Sequence, residues 1–263
     1  MNDLFDIACN FTHESFDDDL KQVIDDGMNI GVNKFLVVAA ELDDAHKIDK
    51  LITNHKDLLY FTTGVHPHHA KGFNDQSTER MRNLIKKYSP NALGEMGLDF
   101  FRNLSSHEEQ KFAFEEQIKL AIEFNKPLFL HQRDSHEPFI KLLNNYKTDI
   151  DKAVVHCFTG TQLELDEYLK CDFYIGLTGW ICDERRNKDL RSSIKNIPLN
   201  SLMLETDSPF LIPRNLNPKP KSNRNEPKNL MHIATEIAQL RNESVEEICN
   251  ATYRNSLDFF SQA

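Results

Sequence analysis

The sequence predicts an α/β fold, a (β/α)8 TIM barrel filling residues 1–263 as one domain, and three observations predict it. The chain has 263 residues, and barrels of this kind commonly run to about 250 residues as a single unit. Eight short apolar or β-branched runs recur with starts roughly 20 to 35 residues apart, the spacing of a βα unit. Runs such as KFLVVAA, PLFLH, KAVVHC and SLMLET are nearly continuous in apolar residues. Parallel strands covered on both faces look like this, whereas a half-solvated sheet would alternate.

The predicted strands are 4–9, 34–40, 58–64, 91–95, 127–131, 152–157, 172–177 and 201–206. Helical spacing separates them, as in Phe16, Leu20, Val23 and Ile24, then Ile48, Leu51 and Ile52, then Phe139, Leu142, Leu143 and Tyr146. Ser106 with Glu109, Thr161 with Glu164 and Ser244 with Glu247 each place a hydroxyl three residues before a carboxylate, the signature of a capped helix start. Residues 208–228 hold five of the ten prolines and suit neither helix nor central strand. Their place straight after the eighth strand reads as a long loop over the barrel mouth. Leu230, Ile233, Ala234, Ile237 and Leu240 then read as the eighth outer helix. The competing fold is a doubly wound open sheet, but the nine glycines form neither G-x-G-x-x-G nor G-x-x-x-x-G-K-[ST].

Lys and Arg total 31 against 41 Asp and Glu, a formal charge of −10, which excludes a simple basic protein that coats nucleic acid. The composition, 40% hydrophobic and 27% charged, is that of a globular protein. The start MNDLFDIACNF is acidic where a secretory signal needs basic residues, and no apolar run reaches the ~20 residues of a membrane span. Five scattered cysteines without a C-x-x-C pair read as reduced thiols. These features predict a cytoplasmic protein with no membrane partner; a monomer is the expected state, although nothing in the sequence reads it out.

Reacting groups in a (β/α)8 barrel sit where strands run out at their C-terminal ends. The third strand ends Gly64-Val65-His66-Pro67-His68, the fourth Gly94-Glu95-Met96-Gly97-Leu98-Asp99, the fifth Leu130-His131, the sixth His156-Cys157 and the eighth Glu205-Thr206-Asp207. One histidine at one strand end is usually structural, but imidazole or carboxylate at five of eight ends is hard to explain that way. Such groups ligate catalytic divalent ions, which take about three protein ligands and leave room for water. Glu95, His131 and His156 are the candidate ligands. Asp207 can orient water, accept its proton or bind the ion. His66 is a further ligand or a donor to substrate, and His68 is a weaker candidate beside it. No G-x-S-x-G elbow or H-E-x-x-H motif is present. Near the mouth, Arg133, Arg214, Lys219, Lys221 and Arg224 could meet an anionic substrate, with Arg133 and Arg224 as the candidate phosphate contacts. Trp180 and Phe100-Phe101 could stack on bases or simply be buried.

These residues also carry a family resemblance. GVHPHHA, ALGEMGLDFFRN, PLFLHQRDSHEPF, VVHCFTGT, YIGLTGWICDERR, LMLETDSPFLIPR and SNRNEP, in this order across nearly the whole chain, resemble the TatD family of metal-dependent deoxyribonucleases. The resemblance implies a barrel of the metal-dependent hydrolase superfamily that trims single-stranded DNA and RNA from the 3′ end, with a role in repair of oxidative DNA damage. It implies Mg²⁺ as the usual cofactor, Mn²⁺ or Zn²⁺ as alternatives, ligation by Glu95, His131 and His156, and Asp207 as the essential acid. One departure stands out: most relatives carry H-x-H after an Asp at the end of the first strand, where this chain has Asp6-Ile7-Ala8-Cys9-Asn10. That favours a single bound ion, or a second recruited with substrate, over a permanently filled two-metal site. A metal-dependent amidohydrolase or deacylase is the rival enzyme, and a barrel that only binds metal or a protein partner is the non-enzymatic rival.

Overall fold

Eight strands lie beside their sequence neighbours, in chain order, in one sheet. A computed structural model describes residues 2–261. The strands are β1 (Leu4–Cys9), β2 (Val32–Val37), β3 (Leu59–Thr63), β4 (Ala92–Asp99), β5 (Leu128–Arg133), β6 (Ala153–Val155), β7 (Tyr174–Leu177) and β8 (Leu202–Leu204). Seven consecutive pairs are parallel. Helices α1 (Leu20–Asn29), α2 (Asp44–Asn54), α3 (Asp75–Tyr88), α4 (His107–Glu123), α5 (His136–Asn144), α6 (Gln162–Leu169), α7 (Lys188–Ser193) and α8 (Leu230–Arg241) alternate with them, and α9 (Val245–Phe260) follows. This is the expected (β/α)8 barrel, with the 208–228 segment looping from β8 to α8.

Two apolar layers result from the two faces of the strands. Inward residues Phe5, Ile7, Leu36, Val38, Ala92, Phe129, Val154 and Met203 fill the lumen, and Phe259 and Phe260 of α9 close it from below. The outward strand faces pack on the helices in a larger core. All three hydroxyl–carboxylate pairs cap their helices, Ser106 on α4, Thr161 on α6 and Ser244 on α9. A fourth capping box, Asn74 with Ser77 at α3, escaped the sequence reading because it uses no carboxylate.

The strand limits differ from expectation in an informative way. β6 and β8 have three residues each, so His156 and the 205–207 segment stand just beyond them. β4 runs past the expected end at 95 to Asp99, because pairing with β5 continues as Met96↔Leu130, Gly97↔His131 and Asp99↔Arg133. A register shift between Leu93 and Met96 turns Glu95 out of the regular alternation, the way bulges aim side chains beside active sites.

Closure falls to side chains. Between the last strand and the first, the ladder is reduced to a bridge of Cys9 with Ser208 and a bond from Asn10 N–H to the Ser208 carbonyl at 2.8 Å. Asp6, fully buried, clasps the seam. Its carboxyl takes the Thr206 N–H at 2.8 Å and lies 2.6 Å from the Thr206 hydroxyl. Asn225 fastens the far end of the long loop by donating to the Thr206 carbonyl at 2.8 Å.

Burial pushes the Asp6 carboxyl up to about 7 against the pull of the Thr206 bonds. A raised pKa means that its stabilisation is present below the unfolded value and lost as pH rises through about 7. Asp6→Ala should therefore cost about 2–4 kcal/mol in urea unfolding, through unpaired donors at Thr206 and Ala8. Asp6→Asn, which keeps a donor and an acceptor, should cost less, and its deficit should shrink as the assay moves from about pH 5 to about pH 8. A deficit that does not change with pH would show that Asp6 is ionised in the fold.

Candidate active site

Period-two alternation along β5 builds one wall of the site. Phe129 lies in the lumen, His131 stands one layer above it, and Arg133 stands at the rim. β6 works the same way, with Val154 inside and His156 above it. After β3, the N–H of His66 is fixed to the Ala40 carbonyl at 2.9 Å. The Pro67–His69 turn then gives the His68 N–H to His66 Nδ1 at 3.0 Å, which leaves Nε2 to face inward. β3 and β4 approach so closely here that a Cβ on Gly64 would stand 2.5 Å from the Gly94 carbonyl carbon.

The imidazoles converge on one atom. Glu95 Oε1 lies 2.9 Å from His131 Nδ1, 2.9 Å from His156 Nε2 and 3.3 Å from His66 Nε2. One ligand atom from each of His66, Glu95 and His131 lies within 4.8 Å of the other two. The opposite nitrogens of two rings are gripped by carboxylates: Asp99 Oδ2 at 3.3 Å from His131 Nε2 and Glu205 Oε2 at 3.2 Å from His156 Nδ1. Asp99 also holds His68 Nε2 at 2.7 Å, and Glu205 accepts the Cys157 N–H.

The electrostatics follow from burial and these contacts. Burial disfavours the Glu95 anion, yet His156, His66 and His131 hold its carboxyl well below the usual range. Burial opposes charge on His131 and His156 too, but Asp99 and Glu95 raise the first, and Glu95 and Glu205 raise the second well above its ordinary value. His66, with less carboxylate support, is pushed down to about 4 by burial. The surrounding carboxylates thus favour positive charge at His131 and His156. Imidazoles oriented by outer carboxylates around a shared carboxylate are the donor set of a divalent-metal site, so the residues fit such an ion.

Asp207 stands beside this cluster, in a left-handed conformation with φ 55°. Burial pushes its carboxyl up to about 7, with His156 pulling it down and Glu95 and Glu205 adding to the rise. Asn10 Nδ2 donates to Oδ1 at 3.1 Å, so Asn10 positions Asp207, while the Ala8 side chain is buried with no polar atom to offer.

The cations separate sharply. Arg133 makes no side-chain hydrogen bond or ion pair among the described residues, and its guanidinium lies 3.9 Å over the Phe101 ring. Arg224 is a correction. All five of its donors are engaged: with Asp19 at 2.9 and 2.7 Å, Glu226 at 3.2 and 2.8 Å, and the Ser15 carbonyl at 2.6 Å. It is a strut tying the long loop to the first βα loop and has no donor left for phosphate. Arg214 lies 3.9 Å from Asp183, and Trp180 packs against the core. Sequence reasoning placed Asp99 and Glu205 at strand ends but gave them no role. The signal was there, a carboxylate within four residues of a candidate ligand or two residues before Asp207.

Fold and site together define a (β/α)8 hydrolase with a histidine–carboxylate centre at its C-terminal mouth. A family model described as TatD related DNase matches residues 5–261, and the chain belongs to that family. The 3′-5′ ssDNA/RNA exonuclease TatD of Yersinia pseudotuberculosis is 44% identical over 257 residues, covering 98% of this chain and 99% of that protein. Its namesake in Pantoea ananatis is 41% identical with the same coverage. The solved structure of YJJV, a TatD homologue of Escherichia coli, matches with a TM-score of 0.89 at 28% identity, over 99% of this chain and 98% of that one.

Because a divalent ion needs unprotonated imidazole, metal binding should release protons, and affinity should rise about tenfold per pH unit for each proton displaced. Titration calorimetry in buffers of different ionisation enthalpy reads this directly. Affinity independent of pH across the imidazole range would mean that the ion sits elsewhere.

Proposed function

We propose that this chain is a metal-dependent 3′-5′ exonuclease that hydrolyses phosphodiester bonds of single-stranded DNA and RNA, acting as a monomer in the cytoplasm. The observation that carries the reading is the convergence of His66, His131 and His156 on Glu95 Oε1, at the mouth of a barrel whose relatives, matched end to end at 41–44% identity, bear that activity in their names. Five unpaired cysteines suit a reducing compartment.

Glu95, His131 and His156 would hold the ion, with His66 at the same carboxylate and Mg²⁺ the expected metal. When bound, the ion supplies Lewis acidity to the phosphoryl group and to the attacking water. Asp99 and Glu205 hold the His131 and His156 rings in place. Asp207 takes the water's proton at Oδ2, the oxygen that Asn10 leaves free. Arg133, with its donor edge unpaired, contacts a phosphate of the strand. An acidic chain with an unpaired arginine at the barrel mouth suits engagement of strand ends, since tight duplex binding draws on many phosphate contacts.

The test is release of mononucleotides from 3′- and 5′-labelled single strands with Mg²⁺, Mn²⁺, Zn²⁺ or chelator. Glu95→Ala and His131→Ala should lower kcat by about a thousandfold or more with the fold intact. Asp207→Asn should lower it by about 100- to 10,000-fold and remove the rise in rate that accompanies loss of the Asp207 proton. That rise falls at or below about pH 7, because a cation at Glu95 favours the anion. Full activity in Glu95→Ala would sink the proposal. Metal-dependent cleavage of amides or esters, with none of nucleic acid, would transfer it to the deacylase reading.

A further inference from the structure

Phe100 and Phe101 leave the end of β4 in opposite roles. Phe100 stacks against His107 at 3.5 Å between centroids and 8° between planes, and it packs on the core. Phe101 is 55% exposed, a large apolar ring in water with the Arg133 guanidinium 3.9 Å above it. The ring is held in place by polar bonds from behind. Asp99 Oδ1 accepts the N–H groups of Phe101 at 3.0 Å and Arg102 at 2.8 Å, while Oδ2 of the same carboxylate faces His68 and His131. The ladder that brings Glu95 and His131 together ends at Asp99↔Arg133, and the Phe100 N–H bonds to the Arg133 carbonyl at 2.9 Å.

We propose that Phe101 and Arg133 form a stacking platform for an unpaired nucleobase of the substrate strand, beside the metal cluster. This rests on the functional reading above and adds to it a subsite for the base. A ring and a guanidinium plane both stack on any nucleobase, and neither reads a hydrogen-bond pattern, so the contact is indifferent to sequence. Bases inside a duplex have both faces covered by neighbours. The platform therefore selects single strands and frayed ends. Arg133 serves twice, its plane against Phe101 and its unpaired N–H edge toward the phosphate that follows the stacked base. Asp99 acts as a positioning residue, since one carboxylate sets both the His131 ring and the turn that carries Phe101.

The test uses the Mg²⁺-loaded protein and a fluorescent thymidine oligonucleotide with phosphorothioate linkages, which slow cleavage, read by anisotropy. Phe101→Ala should weaken binding about tenfold and Phe101→Trp should restore it. Arg133→Lys, which keeps the charge and loses the plane, should weaken it by a smaller factor. With an abasic strand of the same length, the gap between wild type and Phe101→Ala should close. Leu163→Ala, a change to an exposed apolar residue on α6, serves as the control for loss of apolar surface. Equal affinity of wild type and Phe101→Ala for the base-bearing strand would overturn the platform, as would a gap that persists on the abasic strand. The functional reading is judged separately by cleavage of the unmodified strand: wild type that binds with the predicted Phe101 dependence but never cleaves would refute that reading and leave the platform standing.

Discussion

A single carboxylate oxygen organises the upper half of this barrel. Glu95 Oε1 is approached by imidazoles from three other segments of the chain, and its residue is only 7% exposed. A buried anion is expensive unless its lone pairs are answered. Each answering ring needs its own far nitrogen satisfied, which is why Asp99 and Glu205 are buried in turn. The result is a surplus of carboxylate around a small set of rings. Such a centre favours positive charge, and its donor set fits a divalent cation.

The β4–β5 ladder turns that requirement into a working shape. Its lower end lines the lumen, its middle carries Glu95 and His131, and its upper end carries Arg133 and the turn with Phe101. One pairing register thus sets the apolar floor, the metal cluster and the rim at successive heights. The shift between Leu93 and Met96 gives Glu95 an orientation that regular alternation would deny it. On the opposite side of the mouth, the reduced β8–β1 ladder leaves space for polar side chains. Asp6 and Asn10 use it, one to clasp Thr206 and the other to hold Asp207.

Charge is distributed with the same economy. An acidic chain that handles an anionic substrate needs few cations, but they must be free. Among the described residues the Arg133 guanidinium has only the Phe101 ring against it, and the nearby Asp99 carboxylate is taken up by His68 and His131. Arg224 is spent on Asp19 and Glu226, and this fastens the proline-rich loop to the first βα loop. Of the two arginines near the mouth, one thus keeps its donor edge unpaired and the other is bound into the architecture.

The sequence by itself determined the barrel, most of its strands and the residues that point into its mouth. Those features are written in short-range periodicity: continuous apolar runs for strands buried on both faces, hydroxyl–carboxylate pairs for helix starts, and imidazole or carboxylate where each run stops. What only the tertiary structure decided were pairings between residues far apart in the chain. Arg224 meets Asp19 across 205 positions, Asn10 meets Asp207 across 197, and His156 meets Glu205 across 49. The division between Phe100 and Phe101 was equally illegible, since adjacent residues at a strand end differ only in which side of the turn the fold leaves open. Local pattern fixes which face a side chain takes, and the closing of the barrel fixes what that face meets.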